Sequence, residues 1–186
     1  MSSGKNAAAS EASVSEAGLP SSDAREAVLY ARFGELGISW KTHEHAPVFT
    51  VEEAAALYAQ QPGGHTKNLF LKDKKDGLWL VVARDDLSID LNALSRQLGA
   101  PRFSFGSAEL LIATLGIAPG SVTPFALMND RARIVTAVLD EGMLALDPLN
   151  FHPLRNDRTT AVSAADLLTF VRAVSGEPVI ATLPLR

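Results

Sequence analysis

The segment NLFLKDKKDGLWLVVAR, residues 68–84, decides the architecture of this 186-residue chain. Two apolar runs, NLFLKD and LWLVVAR, flank KKDG, and a glycine-containing turn between such runs predicts a β-hairpin at the centre of a sheet. Upstream, Asp23 and Glu26 have capping-box spacing before Leu29, Phe33 and Leu36, which share one helical face, so a helix is expected over 24–36. Ile38, Trp40 and Thr42 alternate with polar neighbours as in a short strand with one buried face, ended by Pro47. Thr50 and Glu53 form a second capping box for a helix over 51–60, broken by QPGG.

Downstream, Asp90 opens a helix closed by Gly99, and Ser107 opens another closed by Gly116. VTPFALMND, ARIVTAVLD and PVIATL read as strands, and Ser163 caps a last amphipathic helix through Val174. Several neighbouring strands are joined by turns too short for a parallel crossover. The expected fold is therefore α/β in the mixed α+β sense: one domain, with a mixed, strongly twisted central sheet surrounded by helices.

Composition narrows the function. Apolar residues make up 47% and charged residues 20%, the balance of a globular protein, and 186 residues suffice for one domain with a substantial core. Cysteine is absent, which removes disulfides, thiolate nucleophiles and cysteine zinc sites together. Residues 1–22 are rich in Ala and Ser, contain Glu11 and Glu16 and lack an apolar core, so they read as a flexible tail ahead of a domain over 23–186. No apolar stretch reaches the roughly 20 residues that cross a bilayer, and the expected location is cytoplasmic, without a membrane partner. A net charge of −4 opposes a broad nucleic-acid surface, DNA included, so any RNA contact must be local. Lys72, Lys74 and Lys75 around one turn, and Arg155 and Arg158 near a histidine, are the cations available for it.

Three segments place glycine or polar residues where a packed core would not ask for them: GGHTKNLFLKD at 63–73, GSVTP at 120–124 and NFHPLRNDRTT at 150–160. Lys67 stands at a strand entrance just after two glycines, where it reads as a solvated lysine or a ligand contact. Asn68 offers two donors and an acceptor, or is a sheet-edge asparagine. Gly116 and Gly120 read equally as a helix cap and a turn or as openings where substrate approaches backbone N–H groups, with Ser121 and Thr123 beside them. His152 precedes Pro153, which restricts its backbone and the position of its ring. His43, His45 and His65 invite a metal reading, weakened by the lack of an acidic or cysteine partner at ligand spacing. No G-x-S-x-G elbow and no G-x-x-x-x-G-K-[ST] loop occurs.

In order and spacing, the three segments resemble the editing domain inserted in bacterial prolyl-tRNA synthetase and its free-standing relatives, within the YbaK-type aminoacyl-tRNA deacylase superfamily. The likeness runs from about Ala24 to about Pro184 and is greatest to the alanyl-tRNA(Pro) deacylases, ProX or PrdX. The resemblance implies hydrolysis of alanine mischarged onto tRNA(Pro), with the tRNA acceptor end as partner and a transient association with prolyl-tRNA synthetase. It implies Lys67, Asn68 and His152 as catalytic residues, with Lys67 on the terminal adenosine or its phosphate. Gly116, Gly120, Ser121 and Thr123 would line the aminoacyl pocket, bordered by His45 and His65. It implies no cofactor and no metal. Deacylation of cysteinyl-, seryl- or threonyl-tRNA by the same fold, and a non-catalytic module binding aminoacyl-tRNA ends or a protein, are the rival readings.

Overall fold

The computed structural model describes residues 18–46 and 61–186. Helix α1 (Ser22–Leu36) leads into strand β1 (Trp40–Glu44), and β2 (Gly64–Asp73) and β3 (Leu78–Arg84) form the expected hairpin. After it come α2 (Leu91–Gln97), β4 (Phe103–Phe105), α3 (Ala108–Leu115) and a 3-10 turn at Pro124–Asn129. Strand β5 (Val135–Asp140), a 3-10 turn at Met143–Ala145, β6 (Leu149–Phe151), β7 (Arg158–Val162), α4 (Ala164–Ser175) and β8 (Val179–Ala181) complete the chain.

The strands form one mixed sheet in the order β1-β7-β6-β2-β3-β5-β8, with β4 also paired to β2. The hairpin is central, as its apolar runs predict. β2 is the hinge of the arrangement. Its odd-numbered residues pair with β3, as shown by Asp85 donating to the His65 carbonyl at 3.1 Å and Asp73 to that of Gly77 at 2.9 Å. Its even-numbered residues face the other edge, where Gly64 donates to Pro148 (2.8 Å) and the Phe70 carbonyl accepts from Gly106 (3.0 Å). On that edge β6 reaches only Gly64 and His65, and β4 only Leu71 to Asp73. Among the described residues, the backbone groups of Asn68 lie in the gap between them without a partner.

Alternation along β2 and β3 feeds two cores. Phe70, Leu80 and Val82 join Leu29, Phe33, Leu115, Phe125, Leu167 and Phe170 beneath α1, α3 and α4. Leu71, Val81 and Ala83 join Leu94 of α2, Phe103 and Val138 on the opposite face. Phe125 ties the first core together, with its ring 5.0 Å from Phe33, 5.5 Å from Phe170 and 5.4 Å from Phe151 between centroids. These edge-on contacts are the favoured aromatic geometry, and they anchor β6 immediately before His152.

Most helix ends follow the caps read from sequence: Asp90, Ser107 and Ser163 each accept a backbone N–H of the first turn, and Gly116 closes α3 with φ 63°. The first helix differs. Its cap is Ser21, which accepts from Ala24 at 3.2 Å, while Asp23 and Glu26 turn to Arg155 and Arg158. VTPFALMND is not a strand: Thr123 caps Phe125 and Pro124 opens a 3-10 turn, whose apolar run is buried on all sides. An apolar run that short does not distinguish strand from buried helical turn. Strands β4, β6 and β7, three to five residues long, add to those expected from the sequence. Ile38 is buried but lies ahead of β1. Pro47 and the helix expected over 51–60 fall outside the described residues.

The hairpin turn is fixed by Asp73, 6% exposed, whose carboxylate accepts from the N–H groups of Lys75 (2.7 Å) and Gly77 (3.0 Å) and from Trp79 Nε1 (3.0 Å). A Cβ on Gly77 would stand 2.4 Å from that carboxylate. Burial pushes the Asp73 pKa up, but the Trp79 and backbone hydrogen bonds outweigh it and hold the group below the usual carboxylate range. Asp73→Ala should lower unfolding free energy by about 2–3 kcal/mol, measured by denaturant titration, because three donors lose a charged partner. Because the folded pKa is the lower one, the wild-type advantage is complete above the ordinary carboxylate range. It is lost as pH falls through the folded value, whereas Asp73→Asn should show no such slope.

Candidate active site

A cleft of about 30 Å³ is lined by His65, Thr66 and Asn68 of β2, by Asn150, Phe151 and His152 at the end of β6, and by Thr159 of β7. That volume holds about one water molecule. Two of the three residues expected to be catalytic, Asn68 and His152, therefore meet in one place, although 84 positions separate them.

The histidine is set by its neighbours. A carbonyl can only accept, so His152 Nδ1 carries the hydrogen and donates to the Arg158 carbonyl at 3.0 Å, leaving Nε2 as a lone-pair acceptor in the neutral ring. Burial lowers the His152 pKa first and nearby His45 adds to that, outweighing the Arg158 hydrogen bond and the charge of Asp157. The imidazole is neutral at pH 7. His45, its ring 6.4 Å from that of His152, uses Nδ1 on the Ala46 carbonyl (2.8 Å) and Nε2 on the Thr159 hydroxyl (2.9 Å). The Thr159 hydroxyl is thus engaged at the wall of the cleft.

Asn68 contributes an acceptor. Its side-chain Oδ1 is buried without a hydrogen-bond partner among the described residues, a costly state that a donor from water or ligand would relieve. Asn150, 6% exposed, braces the opposite wall: its Nδ2 donates to the carbonyls of Pro62 (3.0 Å) and Gly64 (3.2 Å), and its own carbonyl accepts from Thr66 Oγ1 (2.9 Å). Neither Asn150 nor Thr159 stands out as functional in the sequence. The available signal was a polar residue between Leu149 and Phe151, where both neighbours are apolar. Gly63 and Gly64 serve packing, since a Cβ on either would meet Pro148 or Leu146 at 2.2 and 2.7 Å.

Lys67 points to the other face of β2, as strand alternation requires. Its ammonium donates to the carbonyl of Asp85 (3.1 Å) and to that of Leu87, in a separate groove. His65 borders the cleft, with Nε2 on the Gln61 carbonyl at 3.1 Å. The residues of 116–123 do not line the cleft. Gly116 is a helix cap, and Thr123 is fully buried and caps Phe125. The Ser121 N–H is committed to the Ala118 carbonyl at 3.1 Å. Gly120, at φ 88° with open space around its α-carbon, keeps an N–H without a partner among the described residues.

The cations expected near the histidine are neutralised. Arg155 is bound by Asp23, Glu26 and Asp157, and Arg158 by Glu26 and Glu44, so four carboxylates share two guanidiniums. Lys72 pairs with Asp76. His43 lies in a shallow groove with Trp40 and Lys41. Among the described residues no three His, Cys, Asp or Glu side chains are grouped to hold a metal ion, and no helix is long and apolar enough to cross a membrane.

Residues 45–170 match the aminoacyl-tRNA editing domain family. The chain is 36% identical over 152 residues to the prolyl-tRNA editing protein ProX of Acetoanaerobium sticklandii, covering 81% of this chain and 92% of that one. It is 42% identical over 147 residues to prolyl-tRNA synthetase associated domain-containing protein 1 of Danio rerio, covering 78% and 80%. A crystal structure of a candidate trans-editing enzyme for prolyl tRNA synthetase shares the fold with a TM-score of 0.68 at 21% identity, covering 90% of this chain and 99% of that one. With the cleft assembled from the segments 63–73 and 150–160, the chain belongs to the aminoacyl-tRNA editing domain family and is, by class, an aminoacyl-tRNA deacylase.

Proposed function

We propose that this protein is a trans-editing hydrolase that removes alanine from mischarged tRNA(Pro), releasing the amino acid and intact tRNA. The observation that carries the reading is the pairing, in a cleft of one-water size, of the unpartnered Asn68 Oδ1 with a neutral His152 whose Nε2 is an acceptor. Two acceptors on residues that line one small space fit a water or a hydroxyl that needs orientation. No described carboxylate, serine or cysteine lines that space.

An ester to the terminal ribose is already activated, so orientation and a donor for the developing oxyanion suffice. Asn68 and His152 position water and ribose hydroxyl, and the Gly120 N–H is the donor assigned to the carbonyl once substrate spans the loop and the cleft. Lys67, on the far face of the strand, holds the nucleotide end. The vicinal hydroxyl of the terminal adenosine assists the attack: as the water oxygen forms the new C–O bond, this hydroxyl takes the water's proton and gives its own to the ribose oxygen, which leaves as the ester C–O bond breaks. Alanine is the substrate by likeness to ProX, with proline excluded by size, because a missing methylene alone discriminates weakly. The acceptor end of tRNA(Pro) is the partner, with prolyl-tRNA synthetase as a transient one.

A panel of tRNA(Pro) charged with alanine, cysteine, serine or proline tests the substrate. Alanine should be released over many turnovers and proline spared; faster cysteine release reassigns the specificity, and protection of every ester supports a binding module instead.

Replacing the free vicinal hydroxyl by hydrogen should slow hydrolysis by about 10²-fold or more with little change in binding. Equal rates on both substrates would sink substrate assistance.

His152→Ala should reduce single-turnover deacylation in a folded protein. In the wild type, activity should hold level through neutral pH and fall only below the ordinary imidazole value of about 6.5, since the ring protonates at lower pH when folded. Stability moves the same way: the unfolded chain binds this proton more readily, so unfolding free energy declines as pH drops below that value. His152→Gln should flatten this slope. A rate that rises on protonation would contradict the acceptor role.

A further inference from the structure

Lys67 and Asn68 are consecutive residues on opposite faces of β2, and they stand where the strand has no paired neighbour between β6 and β4 among the described residues. From His65 to Leu71 this edge extends about 20 Å. The cleft lies on one side of it. On the other lies a groove of about 350 Å³ lined by Lys67, Leu69, Leu87, Ile89, Phe105 and Arg186, together with Asp86, Ser88 and Leu91. Its size is that of a small-ligand site.

Three features of this groove suit single-stranded RNA. Phe105, at the end of β4, is 67% exposed, the most exposed large apolar side chain among the described residues, and an aromatic face open to solvent is a platform for a base. Lys67 and Arg186 form no ion pair among the described residues. Two of the three Lys67 ammonium donors are spent on carbonyls, which fixes the group and leaves one donor for a ligand, with the charge shared between that ligand and nearby Asp86. Arg186 is held in place by its N–H on the Ser88 carbonyl at 2.8 Å and by the bridge of Leu185 to Ile89. Asp86 does not oppose an anion strongly, because it is chelated by Arg84 at 2.7 and 3.0 Å.

The other approaches to the cleft are less suited to phosphate. Arg155 and Arg158 are outnumbered by the carboxylates that hold them, and the groove at Trp40 and Lys41 is also lined by Asp147 and Asp166.

We propose that the groove of Lys67, Phe105 and Arg186 is the track for the 3′ single strand of the RNA: the base next to the terminal adenosine stacks on Phe105, Lys67 and Arg186 take the adjoining phosphates, and the terminal nucleoside crosses the open edge of β2 to bring its ester to Asn68 and His152. This rests on the deacylase reading and adds to it the path of the nucleic acid and a binding role for Phe105.

The test compares two esters, alanyl-tRNA(Pro) and 3′-O-alanyl-adenosine, the second lacking every nucleotide that the track would hold. Phe105→Ala should raise KM for the tRNA by about 10-fold or more, the usual effect of losing one stacked base, with kcat preserved. On alanyl-adenosine the variant and the wild type should be alike, and Phe105→Trp should restore the tRNA KM. Arg186→Ala should reduce the slope of log KM against log salt by about 0.7, one phosphate of a single strand. Lys41→Ala, in the acidic groove, should leave KM unchanged. The track is overturned if Phe105→Ala leaves the tRNA KM unaltered, if it impairs both esters equally, or if Lys41→Ala has the larger effect. A wild type that cleaves neither ester overturns the deacylase reading, and the track with it. Cleavage of both esters with no response to Phe105 overturns the track alone.

Discussion

The whole site depends on how β2 divides its backbone hydrogen bonds. Odd-numbered residues are bound to β3 along the full hairpin, while even-numbered ones are bound to β6 at one end and β4 at the other, with Asn68 between. A central strand with a stretch of edge left unpaired among the described residues is unusual, because unpaired backbone groups are costly when water is kept away. Here the opening lets one strand present a cation to one face and an amide to the other at adjacent positions. The twin cores beneath those faces hold the strand still, so the separation is rigid.

Much of this frame is legible in the sequence because its signals are local. The 68–84 hairpin needs only two apolar runs and a turn, and the caps at Asp90, Ser107 and Ser163 need only a short polar side chain ahead of a helix. VTPFALMND misleads because a segment buried on every side loses the periodicity that separates strand from helix. The site is legible in part for the same reason. Asn68 and His152 stand out in their segments, but their meeting is a product of parallel pairing between β2 and β6, which leaves no local trace. Arg155 and Arg158 look like free cations in sequence. Their carboxylate partners Asp23 and Glu26 lie about 130 residues away, and only the fold shows the charges cancelled.

The cleft itself is chemically modest. His152 is kept neutral, the hydroxyls of Thr159 and Thr66 are engaged by His45 and the Asn150 carbonyl, and the asparagines position or brace. Such a set can orient a reactive ester and a water with little loss of freedom at the moment of reaction, and most of the work then falls to geometry. The ion-pair cluster of Asp23, Glu26, Arg155 and Arg158 contributes to that geometry indirectly, by tying α1 to the loop that follows His152.

The alternation of β2 has a consequence for how this gene can change length. Inserting or deleting one residue between Gly64 and Asp73 would exchange the two faces, sending the lysine into the cleft and the amide into the groove while driving Phe70 and Leu71 into the wrong cores. The strand must therefore drift by substitution alone. Gains and losses of residues are confined to places such as the exposed tip at Lys74 to Asp76, where an altered count leaves the phase of the strand intact.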